Sequence, residues 1–447
     1  MKRYSCILWF IGLALLLFSE YADAQDFERL SERQVMGTAR YVGMSGAMTA
    51  IGGDPSAVAD NPAGLGAYRR SEVLLSIDYQ RDRTAQQKSD STPGVANLFM
   101  LPQVSFIIAF GDRDADEGVV SHNLMFSYQR LRSYSRNYRL SASADCSLGD
   151  LLLNTYGIDL GMAYPAYRNN TYSVMDLTET GYFNQYSIDY AFNYAHRLYV
   201  GFGLRMYSGR FSAETDYYER FAMYNAEGKP YDLENENSLL MTSFGVGGSF
   251  GLIYRPCGWV RLGAAIHTPT VNTVNCYTSG EMSSMTDSLR YSKAPSTASK
   301  WTDYHAPLHA SFGAALQVGD YGLLSLQYDY RHAKYTRDLH TLSAGLEIVP
   351  VPGLYLNAGY GYESTFSDQY EVLGIDPGFE RQDTHTSHTR STQYAGGAIG
   401  FRGRYMIAQL GYQYRWQRLR MHAHEAAQPM DINADTHRVV LTLGWHN

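Results

Sequence analysis

Long apolar runs are all but absent from this 447-residue chain. After the first 24 residues no stretch of 18 or more apolar residues occurs, so nothing there reads as a membrane-spanning helix. Mean hydropathy is −0.31, which excludes a helical membrane protein. Lysine is scarce, and the net charge of −7 offers no basic surface for nucleic acid. Cysteine numbers only four, too few for a disulfide framework. Cys6 lies in the N-terminal stretch. The other three, Cys146, Cys257 and Cys276, leave either one pair and one thiol or three incidental thiols. Cys146 and Cys276 fall on the two longest links between strand-like segments, where a candidate disulfide suits an oxidising compartment. Also missing are a G-x-S-x-G elbow, an H-E-x-x-H pair and a Walker loop. The chain is therefore not expected to be an enzyme, and no cofactor or metal site is expected.

What is abundant is tyrosine, with 38 residues, and glycine, with 41. They fall into segments of strict two-residue alternation. In Ala408–Gln417, Ala408, Leu410, Tyr412, Tyr414 and Trp416 share one face, and Gln409, Gly411, Gln413, Arg415 and Gln417 share the other. About ten such residues suffice for a tilted strand to cross a bilayer. Some fourteen segments of this kind run from Ser71 to His446. Links after even-numbered segments are short, as at Ala195–Arg197 and Arg402–Arg404. Links after odd-numbered ones are mostly long: 81–100, 131–182, 208–239, 268–307, 364–392 and 418–436. A β-sandwich would alternate too, but it would not sort its connections into a short side and a long side. The pattern predicts an all-β fold, a transmembrane antiparallel β-barrel of about 14 strands over residues 71–447, with short periplasmic turns and long extracellular loops.

The N-terminus reads as a secretion signal over residues 1–24: Lys2 and Arg3, an apolar core from Cys6 to Phe18, and an Ala22-Asp23-Ala24 cleavage site. Residues 25–70 lack the tyrosine alternation and are rich in Gly, Ala and Met. Asp26–Arg33 reads as a short helical piece, and Asn61-Pro62 as a turn.

The stretch Gly52-Gly53-Asp54-Pro55-Ser56-Ala57-Val58-Ala59-Asp60-Asn61-Pro62-Ala63-Gly64-Leu65 resembles the plug signature of the FadL/TodX outer-membrane transporters. Pro307–Gly313, Leu354–Tyr362 and the closing strand near Trp445 are similar to barrel segments of that family. The resemblance implies an N-terminal plug (25–70) inside the lumen, with Asn61, Pro62, Ala63 and Gly64 as its gating motif. It also implies residence in the bacterial outer membrane and passive uptake of hydrophobic small molecules such as long-chain fatty acids. The expected partners are outer-membrane lipid, a hydrophobic ligand and, during biogenesis, the barrel-assembly machinery.

Within link 131–182 the apolar stretch 148–163 is costly on an outside loop unless it is covered or used. Leu148, Leu151, Leu152, Tyr156 and Leu160 are the candidate ligand contacts, against the plainer reading of a loop packed on its neighbours. Asp78, Asp189, Arg205, Asp329 and Arg415 fall on inner faces as lumen polarity. His332, His340, His385, His388, His422 and His424 lie on or near outside loops, where most read as solvated and a haem-binding receptor is the minority reading. A structural or adhesive barrel is the other alternative.

Overall fold

The computed structural model describes residues 33–87, 91–111, 117–142, 147–156, 170–224, 228, 230–285, 290–306, 308–319, 321–332, 338–364, 386–424 and 427–447. Sixteen strand segments form one antiparallel sheet. They are β1 (Glu72–Gln86), β2 (Gly94–Gly111), β3 (Val119–Ala142), β4 (Asn170–Tyr194), β5 (Leu198–Tyr224), β6 (Pro230–Cys257), β7 (Val260–His267) and β8 (Thr270–Met285), followed by β9 (Arg290–Ala306), β10 (His309–Val318), β11 (Gly322–Arg331), β12 (Leu339–Val351), β13 (Leu354–Ser364), β14 (Thr386–Arg402), β15 (Met406–His422) and β16 (Met430–His446). β1 pairs with β16, Glu72 opposite His446, and this closes the sheet.

The closed barrel has fourteen staves. β7 and β8 both pair with β6 and form one stave interrupted at Thr268-Pro269, where proline supplies no N–H. β9 and β10 form the next. Thr270 faces Ala306 and His267 faces His309, so the two interruptions lie side by side. Beyond them β8 and β9 leave the barrel as a projecting hairpin, because β10 pairs with β7 and β11 while β9 pairs only with β8.

Links 131–182, 208–239 and 268–307, expected to be loops, are in large part strand: β3 to β6, β8 and β9 continue far beyond the ten or so residues that a bilayer requires. The reason is a change of sign in the pattern. Across the lipid band apolar residues such as Ile188, Phe202 and Phe250 face outward. Higher up, Met175, Leu177, Phe211 and Leu233 face inward and are buried, while Glu214, Asp216 and Glu236 face water. Alternation continues, but no longer as a greasy outer face. At the short-turn end Trp259, Tyr321, Tyr405 and Trp445 are exposed as an aromatic girdle.

Residues 33–70 lie inside the barrel. Thr38 caps α1 (Ala39–Gly43), Asp54 caps α2 (Pro55–Asp60), and Asn61 caps a 3-10 turn (Pro62–Ala67), each side chain accepting a backbone N–H. Wall glycines let this inner segment touch the strands. A Cβ on Gly201 would lie 2.2 Å from Pro62 C, and one on Gly263 2.4 Å from Thr49 O. One on Gly359 would lie 2.3 Å from Met44 C, and one on Gly396 2.3 Å from Val42 O. The abundance of glycine thus has a steric cause: the lumen is filled by backbone against backbone.

Candidate ligand path through the barrel

The inner segment is held by polar contacts from many sides of the wall. Arg40 forms a two-pronged pair with Glu347, at 2.6 and 3.0 Å, and Asn357 donates to the same carboxylate at 2.8 Å. Gln327 Oε1 accepts from the N–H groups of Met48 and Thr49, each at 2.9 Å. Thr442 accepts from Ala39 N at 2.8 Å, and Asn123 donates to the carbonyls of Leu65 and Tyr68 at 2.7 and 2.9 Å. Asn61, from the turn motif, caps its own turn through Oδ1 and donates to Thr49 O at 2.7 Å and to Leu252 O of β6 at 3.3 Å. Pro62 begins the turn, Ala63 is buried, and Gly64 lies against Gly52, where a Cβ on Gly52 would come within 2.6 Å of Gly64 Cα. Asp60 accepts from Tyr41 Oη and lies 3.7 Å from Arg33. Burial pushes its carboxyl up to about 6, with Arg33 pulling the other way.

Above this segment two adjoining cavities share Arg33, Arg331, Glu363 and Arg415. Their empty volumes, open mouths included, are about 740 Å³ for the one that also touches Tyr41 and Asp60, and about 400 Å³ for the one that adds Arg132 and Gln417.

Leu131 lines the larger cavity and Arg132 the smaller, and there the wall parts. β2 pairs with β3 from Gly111 opposite Ser121 to Gln103 opposite Gln129, and then the ladder stops. Pro102 follows in β2 and has no N–H to extend it. Both strands carry register shifts at this level, β2 against β1 near Ser76–Asp78 and β3 against β4 between Arg130 and Arg132. The strands meet again where Asn137 donates to Val95 O at 3.2 Å and where Ser141 and Gln86 exchange two hydrogen bonds of 2.8 Å. Residues 96–102 of β2 thus border a window roughly 20 Å long, taking ~3.3 Å per residue. Phe99, 71% exposed, lies on its lipid side, and Met100 faces inward.

Above the cavities Tyr138, Leu140, Phe211, Leu233 and Met421 form a closed apolar cluster together with Leu148 and Leu151 of α3 (Leu148–Tyr156). Buried Glu219 accepts from Leu148 N at 3.1 Å and so holds the start of this helix. Of the candidate contacts, Leu148 and Leu151 therefore sit in a packed core with no open cavity among the described residues. Leu152 and Tyr156 belong to the same helix, with side chains outside the description, and Leu160 lies outside the described residues, as does Cys146. Cys276 packs against the apolar cluster from β8.

The inner-face charges find specific partners. Asp189 pairs with Arg205 at 2.5 Å, and Asp78 with Arg438 at 2.9 Å. Asp329 accepts from Ser311 and from Gln327 at 2.8 Å. His309 approaches both Ser311 (3.2 Å) and Asp329 (3.4 Å), but through the same nitrogen, Nε2, so the three side chains form no relay for a nucleophilic serine. The expectation of solvated histidines fails at His422 and His424, which are 5% and 0% exposed. They close the top of β15 against the apolar cluster, where His424 meets Tyr217 edge-on. His332 pairs with Asp338 and His340 with Tyr328, each at 2.8 Å. His385 lies outside the described residues, as does the side chain of His388. Sequence reading missed the window, whose one local signal is Pro102 inside a lipid-facing strand. It also missed Arg132 and Arg33, which carry no pattern of their own.

No protein-family model and no curated protein matches the chain. Solved structures do. A FadL homologue from Pseudomonas aeruginosa aligns with TM-score 0.58 and 13% identity over 93% of this chain and 99% of its own. The toluene transporter TbuX of Ralstonia pickettii gives 0.55 and 13% over 92% and 98%. The toluene transporter TodX of Pseudomonas putida gives 0.55 and 13% over 92% and 99%. At such identity the likeness speaks for architecture: this chain has the barrel fold of the FadL and TodX transporters.

Proposed function

We propose that this chain is a passive outer-membrane channel for hydrophobic small molecules, long-chain fatty acids or similar. The observation that carries the reading is the window between β2 and β3, which joins a lumen cavity to the lipid band in a barrel otherwise paired all round. A molecule with an apolar body gains about 0.8 kcal/mol per CH₂ on leaving water for lipid, so an opening toward lipid serves it better than a pore through the inner segment. Three solved barrels of this fold carry fatty-acid or toluene transporter names, which accords with the reading. In this scheme the inner segment is the plug, and the Asn61–Gly64 turn seats it on β5 and β6. The helix carrying Leu148, Leu151, Leu152 and Tyr156 lifts from the apolar cluster to receive ligand, with Leu160 beyond it.

The test is uptake of dodecanol into proteoliposomes. Met100→Trp, which fills the window from inside, is expected to slow uptake severalfold while leaving a folded, heat-modifiable barrel. Removal of residues 25–70 is expected to raise ion conductance in a planar bilayer. Unchanged dodecanol uptake with the window filled would sink the lateral route.

A further inference from the structure

The smaller cavity is not built for a hydrocarbon alone. It gathers four guanidiniums, Arg33, Arg132, Arg331 and Arg415, against a single carboxylate, Glu363. Arg331 takes that carboxylate at 2.6 Å, and Arg33 leans toward Asp60 in the larger cavity at 3.7 Å. Asp329, the other acid of the larger cavity, is occupied by Ser311, Gln327 and His309. The lining holds no carboxylate for the remaining two. Arg132 lies over the Tyr134 ring at 4.8 Å. Arg415 is only 7% exposed and has no hydrogen bond or ion pair with a described residue, although it borders both cavities. Behind it on β3, buried Arg136 adds a further positive charge, bonded to the neutral groups of Gln417 and Tyr138.

A cation removed from water without an acid is costly, and a fold keeps one where something else supplies the anion. We infer that Arg415, with Arg132 beside it, forms an oxyanion subsite for the head group of an amphiphile, and that two unmatched guanidiniums suit a doubly charged phosphate monoester better than a single carboxylate. Guanidinium presents paired N–H groups that fit phosphate oxygens. The apolar tail has the adjacent window, whose inner edge begins at Leu131, next to Arg132. Arg33 belongs to the plug, so a dianion that draws it from Asp60 also loosens the plug where it meets the cavity. This inference rests on the channel reading and names the class of molecule carried.

The experiment is calorimetric binding of dodecyl phosphate, dodecanoate, dodecanol and inorganic phosphate to the detergent-purified protein at pH 8, where a phosphate monoester carries close to two charges. Dodecyl phosphate is expected to bind about tenfold tighter than dodecanoate or dodecanol, as charge-assisted paired hydrogen bonds imply. Arg415→Gln and, separately, Arg132→Gln are expected to erase that preference and leave dodecanol binding unchanged, with heat-modifiable migration confirming the fold. Equal binding of the three dodecyl compounds, or a preference that survives Arg415→Gln, overturns the subsite. Inorganic phosphate competing at equal concentration assigns the site to free phosphate and overturns the amphiphile. Dodecanol uptake into proteoliposomes distinguishes the two levels: uptake without head-group preference leaves the channel standing and the subsite refuted, whereas no uptake refutes the channel itself.

Discussion

Two single residues report on how the plug is seated. Gly201 admits the turn at Pro62 because it has no side chain; a Cβ there would lie 2.2 and 2.3 Å from backbone atoms of Pro62 and Ala63. Gly201→Ala is therefore expected to unseat the turn at a cost of about 1–3 kcal/mol, typical of overpacking. Amide exchange at residues 61–65 should rise while the wall strands stay protected. Asp60 gives a pH signature. Its folded value of about 6 lies above the ordinary 3.8, so the fold resists the charged form. Seating is strongest below the ordinary value and weakens as pH rises through about 6. Exchange across α2, corrected for intrinsic rates, should be faster at pH 7.5 than at pH 5, and Asp60→Asn should flatten the difference. A plug that loosens on acidification instead would contradict this assignment.

Among the elements, the upper sheet of β4, β5, β6 and β8 carries an unusual row. Asp176 faces Asp216, Asp216 faces Glu236, and Glu236 faces Glu281, directly opposite in register. This row stands above the lipid band. Partial burial, followed by the charge of Asp176 and Glu214, pushes Asp216 up, and Glu236 rises for the same kinds of reason. Like charges directly opposite are unfavourable, so Asp216→Asn is expected to stabilise this region by roughly 0.2–1 kcal/mol, less at high salt. Thermal unfolding of the variant at low and high ionic strength would measure it. The second element to test is α3. Glu219→Ala removes the acceptor at its first N–H and is expected to cost about 1 kcal/mol of docking, seen as faster proteolysis near residue 148. The lipid-crossing strands were legible in the sequence because their outer faces must be apolar, as at Ala408–Gln417. The extensions were not, since their apolar face points inward as in any soluble sheet. Nor were the pairs Asp78–Arg438 and Asp189–Arg205, whose partners are fixed by register, which alternation leaves open. Arg415 was legible as an inner-face residue, but its lack of an acid follows only from which side chains the closed barrel brings around it.

For the whole molecule, the closing seam is the pairing of β1 with β16, from Glu72 opposite His446 to Gln86 opposite Ile432. It is as long as the strands that make it, and it joins the first stave to the last. Such a contact has close to the largest sequence separation the barrel allows, so it is slow to form and cannot begin before the final segment has been synthesised. Deleting Met430–His446 should leave β1 and β15 with bare edges and yield no heat-modifiable species, unlike deletion of the plug, which leaves the seam intact. Throughout export β1 offers a row of unpaired N–H and C=O groups on a strand already greasy on one face, a template for intermolecular pairing. The seam that removes every edge from the finished wall therefore makes the nascent chain dependent on being kept single until its last strand arrives.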